Sequence, residues 1–257
     1  MARRTGRMAG CSAIALVLLL LSCAPAHAGA WTKPRGELLM ITTQSVHYLD
    51  RAPGGISQSK QETALYAEYG WRDHVTLVGR AALQSIDRSG IEPWRGVGGV
   101  EAGARLRLYR GGPWAASVQA TVSARTGGEN RNHAALGEGG GDLDVRLMAG
   151  RSFGRSTFVD VQAGWRRRPG GAADEVRLDV TAGTHAWRGM RVMGQSFSVW
   201  SAGGAAGFDG YASHRAQGSL IWPVTSRLHL QAGVMRTTGG RNTGHERSAF
   251  VAVWRTF

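Results

Sequence analysis

Arg105 and Arg107 stand two residues apart in a chain whose charged side chains repeatedly fall at every second position. On extended backbone, positions i and i+2 share a face. That face would collect Glu62, Glu68, Arg80, Glu101, Arg105, Arg107, Arg125, Asp142, Asp144, Arg146, Asp160, Arg166, Arg177, Asp179, Arg215, Arg227 and His229. Guanidinium groups stay charged and offer forked donors. Rows of them on neighbouring strands would bind anions, whereas the interleaved carboxylates would let them pair among themselves.

Covalent catalysis has weaker support. A serine nucleophile needs a base within reach, and the nearest spacing is His245-Glu-Arg-Ser248. On a strand that spacing puts the two side chains on opposite faces, as does the adjacency of Ser213 and His214. Asp87, Asp209 and His245 could meet at one rim, but polar loops supply such residues by chance. His133, Asn130 and Glu138 are too scattered for a metal site, and the glycines of 126–141 lack the strand-to-helix context of a phosphate loop. No catalytic residue, metal or cofactor is expected.

The elements that would position the charged face follow from period two. In Trp114 to Arg125 the set Trp114, Ala116, Val118, Ala120, Val122, Ala124 alternates with Ala115, Ser117, Gln119, Thr121, Ser123, Arg125. Glu175 to Ala186 and Arg227 to Thr237 alternate likewise, and the 3.6-residue helical period is absent. The pattern predicts strands at 36–47, 61–71, 74–85, 97–109, 114–125, 142–153, 157–167, 175–186, 189–200, 211–222, 227–237 and 247–257. Connections alternate short (Arg72-Asp73, 110–113, 154–156, 187–189, 223–226) and long (48–60, 86–96, 126–141, 168–174, 201–210, 238–246), as in barrels with short periplasmic turns and longer extracellular loops. Trp71, Tyr109, Trp114, Phe153, Phe158, Trp187, Trp222 and Phe257 fall beside the short turns. Tyr48, Trp94, Trp165, Trp200 and Tyr211 fall toward the long ones, giving two aromatic belts.

Both chain ends name the compartment. Arg3, Arg4 and Arg7, an apolar run from Ala13 to Leu21, and Ala26-His27-Ala28 before Gly29 form the three regions of a secretory leader. Residues 1–28 are therefore expected to be a signal peptide and 29–257 one domain. The alternative processing site, Leu20-Leu-Ser-Cys23, resembles a lipobox. Cys11 and Cys23, the two cysteines, both lie in the leader, so the mature chain has no thiol chemistry. At the other end Phe250-Val-Ala-Val-Trp-Arg-Thr-Phe257 resembles the sorting signal of outer-membrane β-barrels, with Ala249, Val251, Val253 and Phe257 conforming and Arg255 departing. No mature segment offers the roughly 20 apolar residues of a membrane helix, so spanning requires a closed barrel.

The fold expected is all-β, an antiparallel 12-stranded transmembrane outer-membrane β-barrel, with ten or fourteen strands as the alternatives. The chain carries 31 Lys and Arg against 18 Asp and Glu, and Lys33 and Lys60 are its only lysines. In an exported protein such basicity favours lipopolysaccharide, acidic glycans and anionic solutes over nucleic acid. Partners expected are outer-membrane lipid and lipopolysaccharide, the outer-membrane assembly machinery through the strand ending at Phe257, and an anionic solute or polysaccharide. The pore-lining set expected is Arg80, Glu101, Arg105, Arg107, Arg125, Arg146, Arg177, Arg215 and Arg227, whose positive excess would bias a channel toward anions.

The segments Ala30-Trp31-Thr-Lys-Pro-Arg-Gly36, Lys60-Gln-Glu62 and Leu65-Tyr-Ala-Glu-Tyr-Gly-Trp-Arg-Asp-His-Val-Thr-Leu77 resemble a group of small Gram-negative outer-membrane proteins. Some of these are called XagA-like, after exopolysaccharide loci, and others are filed as transporters of aromatic compounds. The resemblance covers residues 30–83, with Trp71 in place of the usual Leu and Arg72 in place of the usual Thr. It implies a barrel that passes small solutes or one that exports exopolysaccharide; a structural or adhesive surface barrel with a plugged lumen is the alternative from a different class. The group brings no catalytic residues.

Overall fold

The computed structural model describes residues 29–50, 57–124, 141–154, 156–169, 173–203 and 209–257. The leader, with Cys11 and Cys23, lies outside them, as do Arg125 and most of the 126–141 connection. The described residues form twelve strands: β1 (Leu38–Asp50), β2 (Gln58–Arg72), β3 (Val75–Arg88), β4 (Ile91–Gly111), β5 (Trp114–Ala124), β6 (Leu143–Phe153), β7 (Thr157–Arg167), β8 (Glu175–His185), β9 (Arg191–Gly203), β10 (Asp209–Pro223), β11 (Leu228–Arg241) and β12 (His245–Thr256). A 3-10 turn, Trp187–Gly189, joins β8 to β9. Every strand pairs antiparallel with its sequence neighbours, and β1 pairs with β12 from Leu39↔Thr256 to Asp50↔His245, which closes the ring. Closure leaves no unpaired edge, the condition for a sheet to stand in lipid.

The predicted strands recur with small shifts at their ends. The clearest difference lies between β3 and β4, where the long connection expected over 86–96 contracts to a turn at Ser89 and Gly90, whose φ of 80° suits glycine. The 238–246 connection shortens likewise, because β11 runs on to Arg241 and β12 begins at His245.

Alternation sorts the side chains. Large apolar residues such as Leu83, Val122, Leu147, Val176, Leu220, Val234 and Val251 face outward and are exposed, Val234 by 64%. In water so extensive an apolar exterior would drive association; in a bilayer it meets hydrocarbon. No helix of the described residues is long and apolar enough to cross a membrane.

The rim at the short turns carries the outward aromatics Trp71, Tyr109, Trp114, Phe153, Trp187, Trp222 and Phe257. A bulge at Arg107/Tyr109 helps to turn Tyr109 outward, whereas Trp71 keeps the outward parity of Leu65 and Tyr69. Arginines cover several of these rings: Arg72 over Trp71 at 5.0 Å, Arg151 over Trp114 at 4.9 Å and over Phe153 at 4.7 Å. Arg255, the residue that departs from the terminal apolar pattern, lies 4.7 Å from the Phe257 ring. Its charge thus stays at the interface while its stem covers apolar surface. Other expected belt members face inward instead, and Trp94 pairs with the inward Ile86. Phe158 is buried in the lumen, and the Tyr211 hydroxyl bonds Glu175 there.

Candidate functional site: the barrel lumen

The lumen has two differently built halves. At the short-turn end, residues 29–37 do not simply lead into β1 but fold across the interior. Ala30 is fully buried and its N–H donates to Asp160 Oδ2 at 2.7 Å. Lys33 N–H donates to Thr76 Oγ1 at 2.8 Å, Thr32 Oγ1 to the Asp73 carbonyl at 2.8 Å, and Gly36 N–H to the Gly70 carbonyl at 2.8 Å. The segment therefore stretches from β7 to the β2–β3 turn before entering β1. Between these anchors Trp31, 8% exposed, joins Ala30, Ala115, Met148, Phe158, Met193 and Ile221 in an apolar cluster, with Trp254 packed against it. The Trp31 ring lies where a Cβ on Gly150 would collide with it, so the bare backbone of β6 is what admits the indole. These contacts make the segment a plug.

Arg105 ties the plug to the wall. Only 2% exposed, it donates from Nη1 to the Trp31 carbonyl at 3.2 Å, from Nη2 to Glu68 Oε1 at 2.8 Å, and from Nε to Gln119 Oε1 at 3.0 Å. The Tyr66 hydroxyl donates to the same Glu68 oxygen at 2.7 Å. A buried guanidinium is tolerated when its fork is filled in this way.

Toward the long loops the wall becomes a network of ions. On the β6–β8 side Asp144 receives Arg146 at 2.7 Å and Arg166 at 3.3 Å, with Arg177 at 3.7 Å; Arg146 also reaches Asp179 at 2.7 Å. Glu175 binds Arg177 at 2.6 Å and Arg168 at 2.8 Å, and accepts from the Tyr211 hydroxyl. Glu101 lies 3.6 Å from Arg166. Asp142, just before β6, has both arginines Arg166 and Arg168 at 3.8 Å, yet its burial pushes the carboxyl above the ordinary range. On the opposite wall Glu62 holds Arg80 at 2.7 Å and Lys60 at 3.2 Å, and Glu246 holds His47 at 2.7 Å and Arg215 at 3.3 Å.

The expected pore-lining residues thus have distinct fates. Arg80, Glu101, Arg146, Arg177 and Arg215 line the lumen, each in an ion pair. Arg105 lines it too, but as the anchor of the plug. Arg107 faces inward, opposite Ser117 in the ladder, with no ion pair among the described residues. Arg227 lies exposed in the turn between β10 and β11, off the strand wall. Arg125 is outside the described residues.

Sequence reasoning passed over one arrangement. Ser45 Oγ lies 2.8 Å from His47 Nε2, and His47 Nδ1 lies 2.7 Å from Glu246 Oε1. Ser45 and His47 are two apart on β1, and β12 brings Glu246 beside them, so only the closing pair of strands could have exposed it. The order serine, histidine, carboxylate matches a nucleophile with its base. The β1–β2 and β1–β12 ladders, however, occupy the backbone donors that would otherwise stabilise an oxyanion. His245 is exposed while Ser248 is buried on the other face, and Asp87 is exposed. His214 reaches Ser198 on β9 and rests edge-on against Trp200.

No protein-family model matches the chain, and no curated protein does. Among solved structures it is similar to the COG4313 outer membrane channel from Pseudomonas putida F1, with a TM-score of 0.70 at 18% identity, covering 91% of this chain and 100% of that one. It is similar also to the NanC porin, with a TM-score of 0.52 at 9% identity over 82% of this chain and 98% of that one. The β domain of the Bordetella autotransporter BrkA gives 0.53 at 14% identity over 87% and 100%. What these proteins share with the chain is the fold. With its closed ring, apolar exterior and aromatic rims, the chain is a twelve-stranded β-barrel of the outer membrane.

Proposed function

We propose that the barrel is an outer-membrane channel for small polar or anionic solutes, held shut at its periplasmic end by the 29–37 plug. The observation that carries this reading is the contrast within the lumen. A barrel serving only as a scaffold has no need of a wide charged interior closed by one short, separately anchored segment. The fold shared with a structure described as a channel supports it. The arginines bias passage toward anions only modestly, because most are engaged by carboxylates. Solutes would pass by exchanging with these pairs, and Arg107 offers an uncommitted guanidinium. Exopolysaccharide export, implied by the resemblance over residues 30–83, would use the same charged wall for a glycan.

The test is conductance in planar bilayers of the mature chain and of a chain lacking residues 29–35. The channel reading expects small, infrequent openings from the first and large, steady ones from the second. A folded barrel that stays silent in both forms would overturn it and leave a structural or adhesive surface barrel.

A further inference from the structure

Asp160 poses a problem of charge. Its side chain, on β7 deep in the lumen, is 0% exposed. It accepts the Ala30 N–H at Oδ2 and the Gln162 side-chain amide at Oδ1, both at 2.7 Å, but forms no ion pair among the described residues. Arg105, at the same end of the barrel, is committed to Glu68. A buried carboxylate with only neutral donors is costly, and a cation beside it removes most of that cost.

The residue beside it is Gly29. A Cβ built there would stand 3.1 Å from Asp160 Oδ1 and 2.7 Å from the Met148 methyl, and would press on the Gln162 amide, so the residue lies directly against the Asp160 carboxyl. Gly29 is also the residue that follows the small-x-small sequence Ala26-His27-Ala28. While Gly29 is joined to Ala28, its nitrogen offers one amide hydrogen and no charge. Hydrolysis of that bond gives water's hydroxyl to the Ala28 carbonyl carbon, leaving a carboxylate, and the freed amine takes up a proton to become an ammonium.

We propose that Asp160 is the binding seat for the α-ammonium of Gly29, created when the leader is removed, and that this ion pair latches the plug across the lumen. Processing then does more than release the chain, since it supplies the one cation that the plug site lacks. The latch rests on the plug and does not depend on whether the barrel conducts.

The experiment uses the mature protein folded in detergent or lipid and an amine-reactive acylating reagent at mildly alkaline pH, with labelled positions read by peptide mass mapping. Lys33 and Lys60 are the only competing amines. Gly29 should be the first residue, and near pH 8 its amine should label about fivefold more slowly in the folded than in the urea-unfolded chain, as a one-unit rise in a pKa of about 8 would produce. Asp160→Asn should abolish that protection. A chain retaining Ala28 keeps every lumen side chain but displaces the ammonium, and its terminal amine should label as in the unfolded state. An N-terminus mapped elsewhere, equal labelling of folded and unfolded wild type, or full protection in Asp160→Asn would each overturn the latch.

Discussion

The two halves of the lumen share one backbone rule and reach opposite chemistries. Near the short turns, inward positions of β5, β6, β7, β9 and β10 carry Ala115, Met148, Phe158, Met193 and Ile221, which enclose Trp31. Near the long loops the same parity carries Asp144, Arg146, Arg166, Glu175 and Arg177. Inward orientation therefore does not by itself mean a wet, charged wall. It means a wall facing whatever occupies the lumen, and at one end the occupant is the chain's own N-terminal segment.

Replacing Trp31 by alanine should break the contrast most. Truncating a large buried aromatic costs about 3–5 kcal/mol, here taken from docking of the plug, so single-channel recordings should show large openings while the folded barrel persists. Next comes the pair Arg105→Ala and Arg107→Ala. Removing Arg105 leaves Glu68 buried without its cation, a loss of about 3–5 kcal/mol in urea unfolding from bilayers, and should raise conductance by freeing the Trp31 carbonyl. Arg107→Ala should shift stability by no more than about 0.5 kcal/mol and lower anion preference slightly in reversal potential. Equal effects from the two would erase the distinction between anchor and lining.

Gly150→Ala sharpens the apolar half. The new methyl would strike the Trp31 ring, and such overpacking costs about 1–3 kcal/mol. Tryptophan fluorescence should shift to the red as the indole moves toward water. The smallest effect on conductance belongs to the ionic half: Asp144→Asn removes a carboxylate shared by Arg146, Arg166 and Arg177. The reversal potential should then move toward anions with little change in conductance.

Strand number, order and facing were legible in the sequence because lipid and lumen impose a strict period of two on every strand. Even Arg255 proved consistent with that period once its aromatic partner Phe257 was seen. The plug was not legible. Gly29 to Glu37 has no periodicity, and its anchors Asp160, Thr76, Asp73 and Arg105 are distant in the chain. Phe158 showed the same difficulty in miniature, since position beside a short turn pointed to the rim while parity with Asp160 pointed inward. The lumen's charged residues could be enumerated, but their pairing depends on register between strands. Asp144, for example, meets Arg166 only because β6 and β7 align those two residues directly.

The path of the plug has a mechanical meaning as well. Asp160 belongs to β7 and the segment ends in β1, and these strands lie half a circumference apart in the ring. Residues 29–37 therefore form a chord bolted to opposite walls, and a chord stiffens a hoop. Lateral pressure from the surrounding lipid, which would flatten an empty tube toward an ellipse, meets a cross-brace at the short-turn end. A barrel that frees its plug would thus change in compliance as well as in bore.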